Sequence, residues 1–367
     1  MKKAEATVYL VLAVSLMFFC GFRFAARAGS ADLKMDMLRA FRLMEEAESA
    51  LRSCGSQKGI PPDAKNDPNR TGLMGLENSP ITTTLGSPEA KRTAANPESA
   101  ALLVLLLNEA GVRRGDAVAI GASGSFPALL VASLAAAGAL DLKALVICSL
   151  AASQWGANRP EFTALDMMRC LNASGVLNVR PLALSVGGEK DVGEGLGSEG
   201  RRFLEDMIRD SGAYFINEPR LSANVRERIG LYEKHAGPAP LRAFINIGGS
   251  WANIGEDPGV LELRPGLVQK PFPAVPGKQG VLQEMLLRGV PAIHLLNIRG
   301  LCERYGLPWD PQSAPDDGGR SAIYHRAAGG GRWRAVCLAS YLALAVLIIA
   351  LRKRRCAFSP DRHLRVS

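Results

Sequence analysis

Short apolar segments alternate with amphipathic ones along the middle of the chain. The apolar segments have the composition of buried strands and span residues 117–121, 144–148, 182–186, 243–247 and 292–296. Between them, apolar residues recur at helical spacing over residues 97–110, 126–137, 162–174, 198–211, 222–235 and 279–288. Strands that alternate with helices are typical of βαβ units. The pattern therefore predicts an α/β fold, a mostly parallel sheet with helices on both faces in a Rossmann-like arrangement.

An amphipathic segment precedes this region. Over residues 31–53, apolar side chains recur at helical spacing on one face, namely Leu33, Met37, Phe41, Met44 and Leu51. This spacing predicts a stem helix that packs on the α/β domain or on a partner, and we favour the domain. The predicted organisation is an anchor at 1–30, a stem helix and loop at 31–75, the α/β domain at 76–312, a Gly-rich linker at 313–331, a second transmembrane segment at 332–352 and a basic tail at 353–367.

Both ends of the chain contain an uncharged apolar stretch of 17 residues, at 6–22 and 335–351. A membrane-spanning helix needs about 20 mainly apolar residues, with a lower limit of about 17. The basic cluster at 352–355 predicts a cytoplasmic C-terminus, because cationic residues flank membrane spans on that side. We expect a two-pass protein of the cell (inner) membrane, with the central domain extracytoplasmic and both termini cytoplasmic. A cleaved signal peptide is the alternative for the first stretch, since Ala26-Arg27-Ala28 resembles a cleavage site.

The net charge of +9 belongs to the two ends. Residues 1–30 carry +3 and residues 331–367 carry +7, whereas the rest of the chain carries −1. A basic domain would indicate nucleic acid as a partner, but the central domain is close to neutral. The charge distribution therefore favours the membrane as a partner and excludes a nucleic-acid-binding class.

The motifs of common cofactor sites are missing from the sequence. Four cysteines of the central region, Cys54, Cys148, Cys170 and Cys302, are widely spaced and form no CxxC or Cys/His pattern, so we expect no metal site. One disulfide is possible among them, although Cys148 lies within an apolar strand and is expected to be a small buried hydrophobe. Neither GxGxxG nor a Walker A motif follows a strand, so no nucleotide cofactor is expected.

The loop after the first predicted strand, Gly121–Ser125, is a candidate site because ligands of open α/β sheets bind beyond the carboxyl ends of the strands. Three interpretations are open. Ser123 and Ser125 could cap the following helix; Gly124 and Ser125 could cradle an anion or polar ligand at the helix start; or Ser123 could be a nucleophile, followed in chain order by Asp191 or Asp257 and then His294, as in α/β-hydrolases. His294 taken alone is more often a satisfied core histidine than a catalyst.

Two further strand-end loops share Ser, Trp and Asn. The first contains Ser153, Trp155 and Asn158, and the second contains Gly248, Gly249, Ser250, Trp251 and Asn253 after Asn246 at the strand end. The indoles either plug the end of the sheet or form a pocket wall whose amides and hydroxyls hold a polar ligand. Asn246 either joins this site or bonds to neighbouring backbone.

Residues 79–93 contain Thr83, Thr84, Lys91 and Arg92. Their hydroxyls and cations could meet an acidic ligand at the sheet end. A plain extended strand with a solvated turn is an equally good interpretation.

Six motifs between residues 76 and 311 resemble one family. They are ITTTLGSPEAKRT, VAIGASGSFPALL, ICSLAASQWGANRPEFT, FINIGGSWANIG, IHLLNIRGL and YGLPWDP, and they span about two-thirds of the chain. They are similar to the poly-gamma-glutamate system protein family, which is encoded beside the membrane-bound synthesis machinery of that polymer. The resemblance implies a component of poly-gamma-glutamate synthesis or export, with the polyanion and other synthase subunits as partners. It supplies no catalytic residues.

Our leading hypothesis is thus a membrane-anchored accessory protein whose strand-end loops bind or process the polyanion. One alternative is a membrane-anchored serine hydrolase or amide-bond enzyme that uses Ser123 and His294. Another is a non-catalytic scaffold of the synthase.

Overall fold

A computed structural model describes residues 2–60, 63–238, 241–313, 321–327 and 338–346. The helices are α1 (Lys2–Gln57), α2 (Pro88–Ala94), α3 (Glu98–Glu109), α4 (Pro127–Ala139), α5 (Ala164–Ser174), α6 (Ser198–Ser211), α7 (Leu221–Ala236), α8 (Trp251–Ile254), α9 (Val281–Leu287), α10 (Ile298–Tyr305) and α11 (Ala322–Ala327), with a 3-10 turn at Pro258–Glu262. The strands are β1 (Ala117–Ser123), β2 (Lys143–Ser149), β3 (Asn158–Arg159), β4 (Phe162–Thr163), β5 (Ala183–Ser185), β6 (Tyr214–Phe215), β7 (Leu241–Ile247), β8 (Gly266–Val268) and β9 (Ala292–Leu295).

Seven strands form one sheet in the order β6-β5-β2-β1-β7-β9-β8. Every neighbouring pair is parallel except β8 with β9, which is antiparallel at the edge. The mostly parallel α/β fold predicted from the sequence is confirmed. The sequence pattern missed β6 and β8, and also the small β3–β4 hairpin, because segments of two or three residues carry no measurable periodicity.

Helices cover both faces of the sheet. All seven residues of β1 are buried, as expected of a strand between two helical layers. Alternate strand residues such as Ala119, Ile147 and Phe244 share one hydrophobic cluster with side chains of α7 and α9. Helix α4 contacts β1, β2 and β7, and its side chains do not belong to that cluster. We therefore place α4, with α3 packed on it, on the opposite face.

The strand order defines a topological switch point. From β1 the chain continues to β2, β5 and β6 on one side, and then returns to place β7 and β9 on the other side of β1. The connections after β1 and β7 therefore leave the sheet toward opposite sides. In open α/β sheets, this divergence leaves a crevice beyond the carboxyl ends of the two strands, where ligands bind.

The predicted stem helix is the C-terminal part of α1, and its apolar face packs on the domain as predicted. Met37, Met44 and Leu51 are 0% exposed. A disulfide between Cys54 and Cys170 joins the end of α1 to α5. The stem and the α/β domain belong to one compact unit, Leu33–Tyr324.

A second unit consists of Met1–Asp32 and His325–Ser367. In it, the Ser15 Oγ lies 2.8 Å from the Tyr341 hydroxyl oxygen, and the Phe18 and Tyr341 rings are 6.1 Å apart. Within the ranges that the structure describes, no helix is both long and apolar enough to cross a membrane. Of the predicted segments, 335–351 and the linker at 313–331 lie partly outside the described residues, and the basic tail at 353–367 lies wholly outside them.

Candidate functional site

A row of polar side chains crosses the sheet at the carboxyl ends of its central strands. Ser185, Ser149 and Ser123 are register partners on β5, β2 and β1. Two residues further back along the strands, Asn246 of β7 is level with Gly121 of β1 and is the partner of His294 on β9. Side chains alternate between the faces of a strand, and residues two positions earlier, such as Ile147 and Ala292, lie in the cluster with α7 and α9. We call this set, which lies on the α7 face, together with the neighbouring side chains of Asp191, Asn224, Arg228 and Asn253, the polar row.

An ion pair without solvent exposure occupies one half of the polar row. Arg228 Nη2 of α7 lies 2.5 Å from Asp191 Oδ2, and the two side chains are 0% and 1% exposed. The hydroxyls of Ser149 and Ser185 donate to Asp191 Oδ1 over 2.9 and 2.8 Å. Asn224 Nδ2 donates to Asp191 Oδ2 over 3.1 Å. The carboxylate thus receives four charge-assisted or hydroxyl hydrogen bonds, which compensate for its burial.

The loop after β5 places Asp191 there by folding back on itself. Lys190 and Asp191 have positive φ angles of 51° and 64°, a conformation uncommon for residues other than glycine. The Gly193 N–H donates to the Gly187 carbonyl oxygen over 2.7 Å, which closes the turn. Sequence reasoning considered Asp191 only as the acid of a triad, and it missed the four partners of this carboxylate.

The signal for these partners was nevertheless present. Ser149 and Ser185 each end an apolar strand, and Arg228 interrupts the apolar stripe of α7 between Val225 and Tyr232. A polar residue at such a position is expected to be paired, because an unpaired charge in the core is costly.

The other half of the polar row, beside the switch point, is incompletely paired. Asn246 Nδ2 donates to the Gly248 carbonyl oxygen over 3.1 Å and lies 3.0 Å from His294 Nδ1. Its Oδ1 has no hydrogen-bond partner among the described residues. Burial lowers the pKa of His294 to about 4, so the ring is neutral near pH 7 and its Nδ1 accepts the bond from Asn246.

Asn253 of α8 lies against β1 with its amide unused. It is 0% exposed, and neither its Oδ1 nor its Nδ2 has a partner within the described ranges. Glycine at position 121 makes the room, since a Cβ there would lie 2.7 Å from Asn253 Nδ2. Leaving such a group unpaired costs about 1–3 kcal/mol. The geometry therefore presents an amide donor and two amide acceptors at the switch point.

Ser123 and Ser125 accept hydrogen bonds from loop backbone rather than from the following helix. The Ser125 N–H donates to Ser123 Oγ over 3.0 Å, and the Ser153 N–H donates to Ser125 Oγ over 3.0 Å. Phe126 is the N-cap of α4 and makes no side-chain capping bond. Of the three interpretations, the helix cap is therefore contradicted. Ser123 Oγ accepts a bond within its own loop, and Ser125 Oγ joins this loop to the loop after β2.

The structure joins no serine, histidine and aspartate into a hydrogen-bonded triad in the part of the chain it describes. His294 is bonded to Asn246, and Asp191 is bonded to Arg228. Asp257 accepts the backbone N–H groups of Gly259 and Val275 instead. Ser123 and His294 lie on strands separated by β7.

Lys91 is buried beneath the loops after β1 and β2. It is 3% exposed, and its Nζ donates to Ser153 Oγ over 2.8 Å and to the Ser125 carbonyl oxygen. The amine also lies 3.6 Å from the centre of the Phe126 ring. Burial lowers the pKa of Lys91 to about 7. Of the two interpretations of this segment, the extended strand with a solvated turn is wrong for residues 88–94, because they form α2 and carry this lysine inward.

Arg92 is occupied as well. Its Nε and Nη2 donate to the two carboxylate oxygens of Asp310 over 2.5 and 2.8 Å. The two cations that the sequence offered to an acidic ligand are thus engaged within the fold. Lys91 and Arg92 therefore do not supply the charge that would attract a polyanion to this edge of the sheet.

The backbone of Thr83 and Thr84 is hydrogen-bonded to the loop after β2. The Thr83 N–H donates to the Ala152 carbonyl oxygen and the Gln154 N–H donates to the Thr84 carbonyl oxygen, each over 2.9 Å. Asn158 bonds through its amide to both backbone groups of Leu76. These contacts favour a structural role for Asn158 and for the backbone of Thr83 and Thr84.

The backbone of one candidate tryptophan and the indole of the other are hydrogen-bonded within the fold. Trp155 has a positive φ of 62°, and its N–H donates to the Leu76 carbonyl oxygen over 2.8 Å. Trp251 packs against the hydrophobic cluster, and its indole Nε1 donates to Glu256 over 3.0 Å. Both rings are half-buried, which fits plugs at the sheet end.

The loops after β1 and β7 bring small residues together at the switch point. Gly249 is exposed, whereas Ser125 and Ser250 are half-buried and Gly124 and Gly248 are buried. Ser250 Oγ lies 3.4 Å from Ser149 Oγ, which connects the two halves of the polar row.

Fold and site together define a class: an α/β protein of Rossmann-like strand order with a buried, mostly uncharged polar site at its switch point. No group of three or more histidine, cysteine, aspartate or glutamate residues within the described ranges could hold a metal ion. No family model, no curated protein and no solved structure matches the chain.

Proposed function

We propose that the chain is a membrane-anchored accessory component of poly-gamma-glutamate synthesis or export, and that its α/β domain binds the amide backbone of the polymer at the switch point. The observation that carries this proposal is the set of unpartnered amide atoms of Asn246 and Asn253 among the described residues. The motifs between residues 76 and 311 supply the identity of the polymer.

Amide recognition accounts for both the chemistry and the charge of the site. Each amide of a gamma-linked chain offers one N–H donor and one carbonyl acceptor, which Asn253 can meet with its Oδ1 and Nδ2. The carboxylates of the polymer stay in solvent beyond Gly249, so their charge needs no partner in the row. This mode of binding is consistent with the engagement of Lys91 and Arg92 inside the fold.

Two observations support the membrane anchor and an extracytoplasmic domain. The Cys54–Cys170 disulfide is typical of an oxidising compartment. Large apolar side chains of the second unit are more than half exposed, namely Leu16, Met17, Phe19, Leu338, Leu342 and Val346, and such surfaces mark membrane or protein contacts. We retain two membrane passes with both termini in the cytoplasm, and contacts with other synthase subunits, as part of this proposal. Reporter fusions after Gly55 and at Ser367 test the topology.

The binding proposal is tested with the full chain in detergent and short gamma-linked glutamate oligomers, by isothermal titration calorimetry. Alpha-linked oligomers of equal length and charge serve as the ligand control. We expect Asn253→Leu to weaken binding of the gamma-linked oligomer by about tenfold or more, since it removes two hydrogen bonds of about 1 kcal/mol each. Asn78→Leu, at an exposed position, serves as the matched control. Equal affinity for both linkages, or unchanged binding by Asn253→Leu, would overturn the proposal.

A second candidate function is amide-bond cleavage or transfer by Ser153 with Lys91, rather than by Ser123 with His294. The specific observation is the 2.8 Å contact between Lys91 Nζ and Ser153 Oγ beneath the two loops. A lysine with its pKa lowered to about 7 is in part a neutral amine at that pH, and a neutral amine can accept the hydroxyl proton as Ser153 attacks a carbonyl carbon. The same amine would then return the proton to the leaving nitrogen, and water would release the acyl group.

The two functions predict different labelling. A fluorophosphonate probe would modify wild-type Ser153 if the hydroxyl is activated, and Ser153→Ala would abolish the adduct while Ser123→Ala retains it. An adduct lost only in Ser123→Ala would instead restore the original serine hydrolase hypothesis. Absence of any adduct, together with binding of the gamma-linked oligomer, would support the accessory function and exclude the amide-bond enzyme.

A further inference from the structure

A polar cavity of about 150 Å³ lies between the stem and the helices at the start of the α/β domain, away from the switch point. It is lined by Glu45, Glu48 and Arg52 of α1, by the loop that follows α1, by Asn96 in the connection between α2 and α3, and by Pro311 in the segment after α10. A cavity of about 150 Å³ in another protein binds benzene, which has as many non-hydrogen atoms as alanine. The space is thus sufficient for a small organic molecule.

Two buried side chains of the cavity wall have unused hydrogen-bonding capacity. Glu48 is 6% exposed and Asn96 is 4% exposed. In the part of the chain that the structure describes, Glu48 Oε1 and Asn96 Nδ2 have no partner. The Asn96 Oδ1 is used, since it accepts the Glu98 N–H over 3.0 Å. The wall therefore offers one acceptor and one donor toward a ligand, and an unpaired buried polar group is costly until a partner is supplied.

The formal charges of the cavity wall restrict the kind of ligand that fits it. Glu45 and Glu48 are carboxyl groups that are negative when ionised, and Arg52 is a cation that uses Nη1 to donate to the Arg70 carbonyl oxygen over 2.9 Å. The other N–H groups of a guanidinium can bind a carboxylate. A ligand that carries a cation and a carboxylate together would meet both signs, whereas a plain cation or a plain anion would meet only one.

We infer that this cavity binds a free α-amino acid, its ammonium group against Glu48 and its carboxylate against Asn96 and Arg52. An ammonium is favoured over a metal ion, because the described residues contain no cluster of three or more metal-ligating side chains. The inference is independent of the proposed function, since none of these residues belongs to the polar row.

The protonation of Glu48 gives the inference a second readout. Burial raises the pKa of Glu48 well above its usual value, and the nearby Asp67 and Glu45 raise it further while Arg52 lowers it. The empty cavity thus favours the protonated acid more than water does, whereas a bound ammonium group favours the ionised form. We therefore expect binding of an amino acid to be coupled to proton release, which makes the measured enthalpy depend on the ionisation enthalpy of the buffer.

The test is calorimetric titration of the full chain with L-alanine, propionate and ethylamine in two buffers of different ionisation enthalpy. We expect L-alanine to bind at least about tenfold more tightly than either analogue, with proton release. Glu48→Gln should lose the proton release and most of the affinity, and Glu46→Gln, on the exposed side of the same helix, should change neither.

Three outcomes would overturn the inference. They are no binding of L-alanine at millimolar concentration, equal binding of ethylamine or propionate, and equal losses in Glu48→Gln and Glu46→Gln. Thermal unfolding of both variants shows that each is folded before it is titrated.

Discussion

The two halves of the polar row differ in how their polar groups are satisfied. Around Asp191 every carboxylate oxygen is bonded, and the charge of Arg228 balances that of the acid, although the structure shows no partner for Arg228 Nη1 among its described residues. Beside the switch point, Asn246 and Asn253 carry no charge and leave three amide atoms without a described partner. A satisfied buried network holds loops in place, whereas unpaired amides at a strand end are available to a ligand. We assign the first half to the fold and the second to binding.

The largest effect is expected from removing the acid of the paired half. Asp191→Ala leaves Arg228 buried without its counter-ion, and losing one partner of such a pair costs about 3–5 kcal/mol. Chemical denaturation of the full chain measures this loss in the free energy of unfolding. Asp206→Ala, at an exposed position of α6, is the control and should cost less than about 0.5 kcal/mol. A loss of under about 1 kcal/mol for Asp191→Ala would contradict a structural role for this half.

Removing both charges should be less harmful than removing one. In the double variant Asp191→Leu with Arg228→Met no unpaired charge is left, and apolar replacement of a buried ion pair is often close to neutral. We expect the double variant to be more stable than either single variant, by about 2 kcal/mol or more, from the coupling in a double-mutant cycle. Additive losses would show that the ion pair is not the source of the stability.

Much of the sheet followed from the sequence because its strands are continuous apolar segments. Residues such as Ile120, Ile147 and Ile245 are buried between helical layers, and no polar alternation hides such strands. The candidate residues beside the switch point were also recoverable. Asn246, Ser250 and Asn253 lie at or just beyond a strand end, where the rule for parallel sheets places ligands.

The paired half and the buried lysine could not be found in this way. Asp191 and Arg228 lie 37 residues apart in the chain, and only the strand order and the turn with positive φ bring them together. Lys91 stands beside Arg92 in a polar segment, so its burial depends on how α2 packs over the loops after β1 and β2. Local patterns describe a residue and its neighbours along the chain, whereas these sites depend on contacts between distant segments.

A pH measurement sharpens the assignment of the uncharged half. Burial depresses the pKa of His294 from 6.5 to about 4. Between these two pH values His294 is protonated in the unfolded chain and neutral in the folded chain. Its contribution to stability is therefore complete above pH 6.5 and is lost as the pH falls toward 4, by up to about 1.4 kcal/mol per pH unit. Relative to wild type, His294→Gln should lose less stability over this range. Carbon-bound ring protons of His294 that titrate above pH 6 in NMR spectra would contradict the assignment of His294 to an uncharged half of the polar row.

The smallest effect separates the two halves most directly. Asn253→Leu removes an amide that has no described partner and places an apolar group beside the ring of Phe244, so we expect stability to be unchanged or raised by up to about 1 kcal/mol. Asn224→Leu is its matched control in the paired half, where the Asn224 amide bonds to Asp191 and to Arg228 Nε. That variant should lose about 1–3 kcal/mol, because it leaves buried charged groups short of a partner. Chemical denaturation of both variants decides between the assignments. Similar losses in the free energy of unfolding would mean that Asn253 supports the fold as Asn224 does. A stable Asn253→Leu protein that no longer binds the gamma-linked oligomer would locate binding in the unpaired half.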